Sequence, residues 1–472
     1  MIKSDKIYQV LLKHDFDLSR GNKSIVDFLS EHLSQYYAEI KCAIEGKNDF
    51  LGAFFIEMLK DKMPILEDIC GEIPKVLAHY SNGHIKNAYI SSSALFDRIA
   101  SNFMLGVSWY GDSGNFYRIR QGDFRINDPT NSKKQKTELF HIKRELRNRI
   151  GAYRYSVAGY PCLYLASDRE LAWFECGMPK QFSFCQMIIT EEGEDGLRLI
   201  DFSQRPLDFL SSFTIWLLNE RRHNKEDKDI IPIYDLLIRY IITYPLAAAC
   251  SIKVKDRGNK YVEEYIFPQL LMSWIRENDD IDGVRYKSSL NSTLVQGMGA
   301  INIALPVKEF RDDGLDKRLT AKIGVSDIGY LDVNKDFKKY QSVLEEISSY
   351  INKLRVYVIE SPYAGHYIEE LIELSECIIK TYNALMEGNY QNSELIFTYV
   401  DRLCDYAELL YASRKMKVQK TLDDAPKDKK SLIDAAVIES HFEDFNSLTK
   451  KILCKHTVFN FAFENMGNFE HL

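Results

Sequence analysis

The sequence predicts an α+β protein, with a central strand-containing domain between helical domains at its N- and C-terminal ends. Residues 1–110 place apolar side chains at helical spacing and contain few alternating apolar and polar runs. Residues 111–333 instead contain short apolar or alternating runs separated by turn residues, a pattern typical of strands. Helical spacing returns from about residue 335, and a chain of 472 residues has room for three domains. We therefore predict domains at 1–110, 111–333 and 334–472.

The composition is that of a globular protein without a strongly basic surface. Hydrophobic residues make up 45% of the chain and the formal net charge is −7, which argues against general nucleic-acid binding. The N-terminal residues mix charges of both signs, so we expect no signal peptide. The most apolar segment, 230–254, is interrupted by Asp235, Arg239 and Pro245, so we interpret it as core and expect no membrane span.

The cysteines indicate the compartment. Nine cysteines are scattered along the chain without a C-x-x-C pair or a Cys/His cluster. This usage is typical of a reduced, cytoplasmic protein and predicts no metal site. The chain also lacks a P-loop, a complete dinucleotide-binding fingerprint, a G-x-S-x-G elbow and an H-E-x-x-H helix.

The central domain opens with a predicted strand at 116–120. Arg118 and Arg120 face the same way in it because side chains alternate along a strand. The polar, lysine-rich residues 121–137 predict a surface loop. His141 then lies in a short apolar segment, 139–142, which precedes a predicted charged helix.

The most informative stretch is 153–177, YRYSVAGYPCLYLASDRELAWFECG. Alternation predicts a strand at 153–157 with Arg154 and Ser156 on one face. Gly and Pro then predict a turn, and the apolar run CLYLA predicts a buried strand that contains Tyr164.

A helix follows that strand. Ser167, with Glu170 three residues later, is typical of a capping box, and Gly177 is a stop signal. Helical spacing puts four side chains on one face: Leu171, Phe174, Glu175 and Met178. A carboxylate in an apolar stripe is costly unless it is paired, hydrogen-bonded or in use. Glu175 is therefore a functional group, a buried structural ion pair, or part of a helix end too short for the stripe to be buried.

The rest of the chain predicts further strands and helices. Strands are predicted at 182–190, 196–202, 281–289, 301–307 and 320–331, and helices at 207–225, 232–243, 245–252 and 261–275. The residues from 335 onward contain no motif that indicates chemistry, and we expect both helical flanks to serve in docking or self-association.

The stretch that contains Arg154, Tyr164 and Glu175, with the core YPCLYLAS, resembles the RES domain. This family is named for its Arg, Glu and Ser, and its small members are the toxins of bacterial toxin–antitoxin pairs. Its fold is similar to that of ADP-ribosyltransferases and it consumes NAD. The resemblance covers about 115–300, near two fifths of the chain, and implies an ADP-ribosyltransferase-like mixed β core.

The resemblance also implies roles for particular residues. Glu175 would be the catalytic carboxylate, with Arg154 and Tyr164 completing the catalytic set. Ser288 falls after Tyr286 in a segment like the family's G-x-x-Y-x-S. The implied NAD-binding residues are Arg118, Arg120, Ser156, Ser288 and His141. For His141 a purely structural role remains an equal alternative.

These residues imply an NAD-consuming enzyme that cleaves the nicotinamide–ribose bond by hydrolysis or phosphorolysis, as a bacterial growth-arresting toxin or defence effector. NAD would be the substrate, and no bound cofactor is expected. Two alternatives stay open: an ADP-ribosyltransferase that modifies a macromolecule, and a non-catalytic ligand-sensing or scaffold protein. The expected partners are an inhibitory, antitoxin-like protein or a second copy bound through the helical flanks.

Overall fold

The structure is a computed structural model that describes most of the chain from residue 5 to residue 332. Gaps in this range lie at 17, 107–114, 126–131, 168, 178, 190–195, 223–226, 256–258, 260 and 289–300. Beyond residue 332 the described residues are scattered positions between 345 and 443 and the pair 470–471. The predicted C-terminal domain, 334–472, therefore lies almost entirely outside the described residues.

The described helices are α1 (Lys6–Lys13), α2 (Ile25–Ile44), α3 (Ala53–Ser81), α4 (Ile85–Ile99), α5 (Ser132–Leu139), α6 (Arg169–Glu175), α7 (Pro206–Arg222), α8 (Asp227–Ser251), α9 (Ile266–Glu277) and α10 (Lys317–Lys322). Short 3-10 helices occupy Ala100–Asn102, Arg144–Arg149 and Glu263–Tyr265. The strands are β1 (Leu105–Gly106), β2 (Asn115–Gln121), β3 (Cys162–Ala166), β4 (Gln181–Ile189), β5 (Leu199–Phe202), β6 (Gly283–Lys287), β7 (Ile301–Pro306), β8 (Ile323–Val325), β9 (Gly329–Asp332) and β10 (Glu470–His471).

These strands form one mixed sheet. Its order is β1-β5-β6-β7-β3-β2-β4-β8-β10, and β9 pairs with β4 off this path. The pair β5–β6 is parallel, whereas the pairs β6–β7, β7–β3 and β2–β4 at the centre are antiparallel. Helices and a mixed sheet in one chain confirm the predicted α+β class.

The two faces of the sheet are buried differently. One face packs against a large core that contains side chains from α1–α4 and α7–α9. The sheet residues on this face include Cys162, Val284 and Ala304. The alternate residues of the same strands, such as Leu163, face a smaller core with α5 and α10. The helices before residue 110 therefore share one core with α7–α9 and the sheet.

Helix α8 is the central helix of the large core. Its segment 230–251 is the one described helix long and apolar enough to cross a membrane by length and composition, but 72% of the tested window is buried inside the protein. Burial to this extent is typical of a core helix of a globular protein. The predicted break at Pro245 was wrong: the helix continues through it, between neighbours that are fully buried.

Three other local predictions were wrong. The predicted loop 121–137 contains part of α5, whose buried Lys136 pairs with Asp327 at 3.1 Å. The predicted strand 320–331 is two short strands, β8 and β9, and its first three residues belong to α10, which Asp316 caps by accepting from the Leu319 N–H. The predicted strand 153–157 is a tight turn closed by backbone bonds between Tyr153 and Ser156.

Candidate active site

Glu175 is the last residue of α6. The helix ends there because Gly177 takes a left-handed φ of 81° and its N–H bonds back to the Phe174 carbonyl. Leu171 and Phe174 are buried, as predicted, but Glu175 is exposed. Of the alternatives for Glu175, the structure therefore shows a helix that ends too early for the stripe to be buried at that position.

The carboxylate of Glu175 is held by two donors from distant parts of the chain. The Ser288 hydroxyl donates to Oε1 at 2.6 Å, and the Asn302 amide Nδ2 donates to the same oxygen at 2.7 Å. Ser288 is 8% exposed and Asn302 is 4% exposed. An accessible carboxylate is thus oriented by two buried, neutral side chains.

The sheet brings these donors together. Asn302 in β7 lies directly between Tyr286 in β6 and Ala166 in β3. Strand β6 approaches β7 closely at Gly283, where an added Cβ would lie 2.3 Å from the Ala304 carbonyl oxygen. The start of β7 is joined to the segment just before α6, because Ser167 exchanges hydrogen bonds with the backbone of Ile301.

Two tyrosines lie on the same face of the sheet. Burial, and then the charge of Glu175, raise the pKa of the Tyr286 phenol well above its usual value. Burial also raises the pKa of Tyr164, whose hydroxyl donates to Ser156 Oγ at 3.0 Å. Both phenols are therefore neutral donors at physiological pH. Ser156 is 1% exposed, so in this conformation its hydroxyl contacts Tyr164 and no open surface.

Arg154 is buried, and its guanidinium bonds to main-chain carbonyls. It lies in the turn before β3 and donates to the carbonyls of Cys250 at 2.7 Å and Ile252 at 3.0 Å. Its guanidinium also lies 5.5 Å from the centre of the Tyr265 ring. The side chain therefore anchors the turn to the end of α8, and through the turn it positions Ser156.

Arg118 reaches from β2 to β3. These strands pair at one position, Tyr117 with Ala166, and Arg118 Nη1 donates to the Tyr164 carbonyl at 2.7 Å. Its buried Nε has no hydrogen-bond partner among the described residues. Burial, and then the nearby Arg120, lower its pKa. Arg118 thus keeps an unused donor near Tyr164.

Arg120 is directed elsewhere. Its Nη1 donates to the Glu138 carbonyl, and its guanidinium stacks 4.6 Å from the centre of the Phe124 ring. Both contacts belong to the loop and helix that follow β2. Of the two arginines, Arg118 is therefore the one placed beside Tyr164.

The implied NAD-binding role of His141 does not agree with its position. The residue is 1% exposed, with Nδ1 against the Ile142 carbonyl at 3.0 Å and Nε2 accepting from the Asp316 N–H at 2.8 Å. Burial also lowers its pKa, which favours the neutral ring. Both nitrogens are occupied by the backbone, so His141 is a structural histidine here.

The site contains two residues to which the sequence had assigned no role, Asn302 and Tyr286. Asn302 is the polar residue of the otherwise apolar strand INIALP, and a buried amide in such a strand was the signal that could have identified it. Among the described residues, no three His, Cys, Asp or Glu side chains lie close enough to share a metal ion.

Comparison with known proteins finds one similarity that spans most of the chain. A Bacillus subtilis (strain 168) protein named "Putative toxin YopC" is 25% identical over 341 residues, which cover 69% of this chain and 71% of that protein. No family model matches the sequence, and no solved structure matches it.

Proposed function

We propose that this protein is an NAD-consuming enzyme that cleaves the bond between nicotinamide and ribose, and that it acts as a growth-arresting toxin or defence effector. The observation that carries this proposal is the oriented, accessible carboxylate of Glu175. The resemblance to RES domains singled out Glu175 and Ser288 separately, and they lie in direct contact although 113 residues apart. Such a contact favours a shared site over two coincidental motif matches.

The chemistry requires a negative charge beside the ribose. When the bond from C1′ to the nicotinamide nitrogen breaks, its electron pair leaves with nicotinamide, and positive charge develops on the ribose. The carboxylate of Glu175 stabilises that charge in the transition state. Water then attacks C1′ and loses a proton to give ADP-ribose, or phosphate attacks and gives the corresponding phosphate ester.

Other side chains fit the remaining parts of the substrate. The guanidinium of Arg118, which lies beside the Tyr164 carbonyl, is the group we assign to the diphosphate, since a guanidinium binds phosphate oxygens strongly. The rings of Tyr164 and Tyr286 supply aromatic surface and neutral hydroxyl donors for the nicotinamide riboside. The proposal includes an ADP-ribosyltransferase-like fold for the central sheet domain.

The toxin role is supported by the similarity to the Bacillus subtilis protein and by the family resemblance. A toxin made inside a living cell needs restraint, so the proposal includes an inhibitory partner protein or self-association through the helical flanks. In the N-terminal flank, exposed Ile85, Tyr89 and Ile90 on α4 offer apolar surface for such a contact.

The direct test is to incubate the purified protein with NAD, with and without phosphate, and to measure NAD loss and nicotinamide release. We expect stoichiometric nicotinamide release, and its dependence on phosphate separates phosphorolysis from hydrolysis. NAD binding without any loss of NAD would favour the scaffold alternative.

Exposure of Glu175 also leaves room for a macromolecular acceptor. Consumption of NAD only when cell extract is added, with label from NAD incorporated into a protein or nucleic acid, would identify an ADP-ribosyltransferase.

A further inference from the structure

We infer that Asn302 is a positioning residue for Glu175, and that Asn302 and Ser288 together leave Oε2 to accept a hydrogen bond from a ribose hydroxyl of the substrate. The substrate's identity in this statement rests on the proposed function, whereas the contact between Asn302 and Glu175 does not.

The geometry separates the two oxygens of the carboxylate. Both donors meet at Oε1, from two different parts of the sheet, at 2.6 Å and 2.7 Å. Among the described residues none donates to Oε2. Glu175 as a whole is exposed, whereas Ser288 and Asn302 are buried. The protein therefore binds Oε1 and leaves Oε2 to accept a hydrogen bond from a ligand.

An amide is suited to this position. Its N–H donates strongly to a carboxylate but carries no charge, so Glu175 keeps the full negative charge that stabilises the ribosyl cation. A lysine or arginine would neutralise part of that charge. The donors also offset the unfavourable placement of a carboxylate at the C-terminal end of α6, where helix carbonyls point.

The surroundings of Asn302 contain few groups that titrate near neutral pH. Tyr286 beside it has a strongly raised pKa, and its other electrostatic neighbours are Cys162, Arg154 and Tyr265. The pKa of Cys162 is raised to about 12, and the ammonium of the next residue in β6, Lys287, lies 3.4 Å from Asp208. A new carboxyl at position 302 would therefore couple mainly to Glu175.

The test compares Asn302→Asp and Asn302→Ala with wild type in the full chain. Asn302→Ala should lower kcat about 10- to 100-fold with little change in KM, since one hydrogen bond to a charged group is lost. In Asn302→Asp, the two carboxyls share a proton at acidic pH, and the protonated carboxyl introduced by the substitution replaces the amide donor. The activity of Asn302→Asp should therefore rise as pH falls and decline as pH rises. The pH profile of wild type should not show this decline.

Thermal unfolding gives a readout that needs no substrate. The pair of carboxyls raises a pKa in the folded state, so its contribution to stability is present at acidic pH and is lost as pH rises through that pKa. The Tm deficit of Asn302→Asp should therefore widen from about pH 4.5 to 8. Asn102→Asp is the matched control, because its amide contacts the Ser101 hydroxyl, and its deficit should stay constant.

A Tm deficit of Asn302→Asp that does not change with pH, or a wild-type kcat in Asn302→Ala, would overturn the assignment. If wild type does not consume NAD, the proposed function fails, and the Tm comparison then decides by itself whether Asn302 holds Glu175.

Discussion

The hydroxyl of Ser288 donates a 2.6 Å hydrogen bond to the carboxylate of Glu175. One residue follows strand β6 and the other ends helix α6, so only the folded sheet brings them together. The family resemblance implied that Ser288 touches the ligand. Its position instead makes the carboxylate of Glu175 its direct partner, which extends the expected role from ligand binding to orientation of Glu175.

Arg154 should matter first for stability. Its two bonds to the carbonyls of Cys250 and Ile252 are buried, so Arg154→Ala should lower the free energy of unfolding by about 3 kcal/mol and reduce activity as well. Arg154→Lys keeps the charge but reaches fewer acceptors, so its free energy of unfolding should lie between those of wild type and Arg154→Ala. Urea unfolding measures this. An Arg154→Ala protein with unchanged stability and no activity would instead assign Arg154 to the substrate.

The two arginines of β2 should differ in their effect on NAD. Arg118 Nη1 contacts the Tyr164 carbonyl, whereas Arg120 contacts Glu138 and Phe124. Arg118→Ala should therefore raise KM for NAD about 10-fold or more, the loss of one charge-assisted contact, and Arg120→Ala should raise it less. Steady-state kinetics of both variants provides the comparison. The reverse order would show that Arg120 lies nearer the diphosphate.

Stability should fall with acid because of a histidine in the helical core. Burial, and then the nearby His14, lower the pKa of His32 to about 4. The neutral His32 therefore stabilises the fold above its unfolded pKa of about 6.5, and this contribution is lost as pH falls toward 4. His32→Asn should show a smaller drop in Tm between pH 7 and 4.5 than wild type does. Exposed His84→Asn serves as the control and should follow wild type.

The sequence predicted the parts of this site that depend on local pattern. The buried strand β3, the helix that ends near Gly177 and the strand with Arg118 all appear where periodicity and turn residues indicated. The directions of Arg154 and His141 were not predictable in this way. Their partners, Cys250 and Asp316, lie 96 and 175 residues away, and no local spacing records such contacts.

Glu175 shows that a correct local pattern does not predict burial. Its helical spacing with Leu171 and Phe174 is real, but the end of the helix exposes it, and α6 is only seven residues long. Asn302 was missed because one polar residue in an apolar strand has many possible explanations until its partner is seen.

The most direct test of the proposed chemistry is the rate of nicotinamide release by wild type and Glu175→Gln. The glutamine keeps the size of the side chain and an Oε1 that can accept from Ser288 and Asn302, and it removes the charge, so Tm should fall only slightly. We expect NAD cleavage to fall by about two orders of magnitude or more, as for loss of a transition-state electrostatic contact. A Glu175→Gln protein that releases nicotinamide at the wild-type rate would contradict the central claim that this carboxylate performs the chemistry.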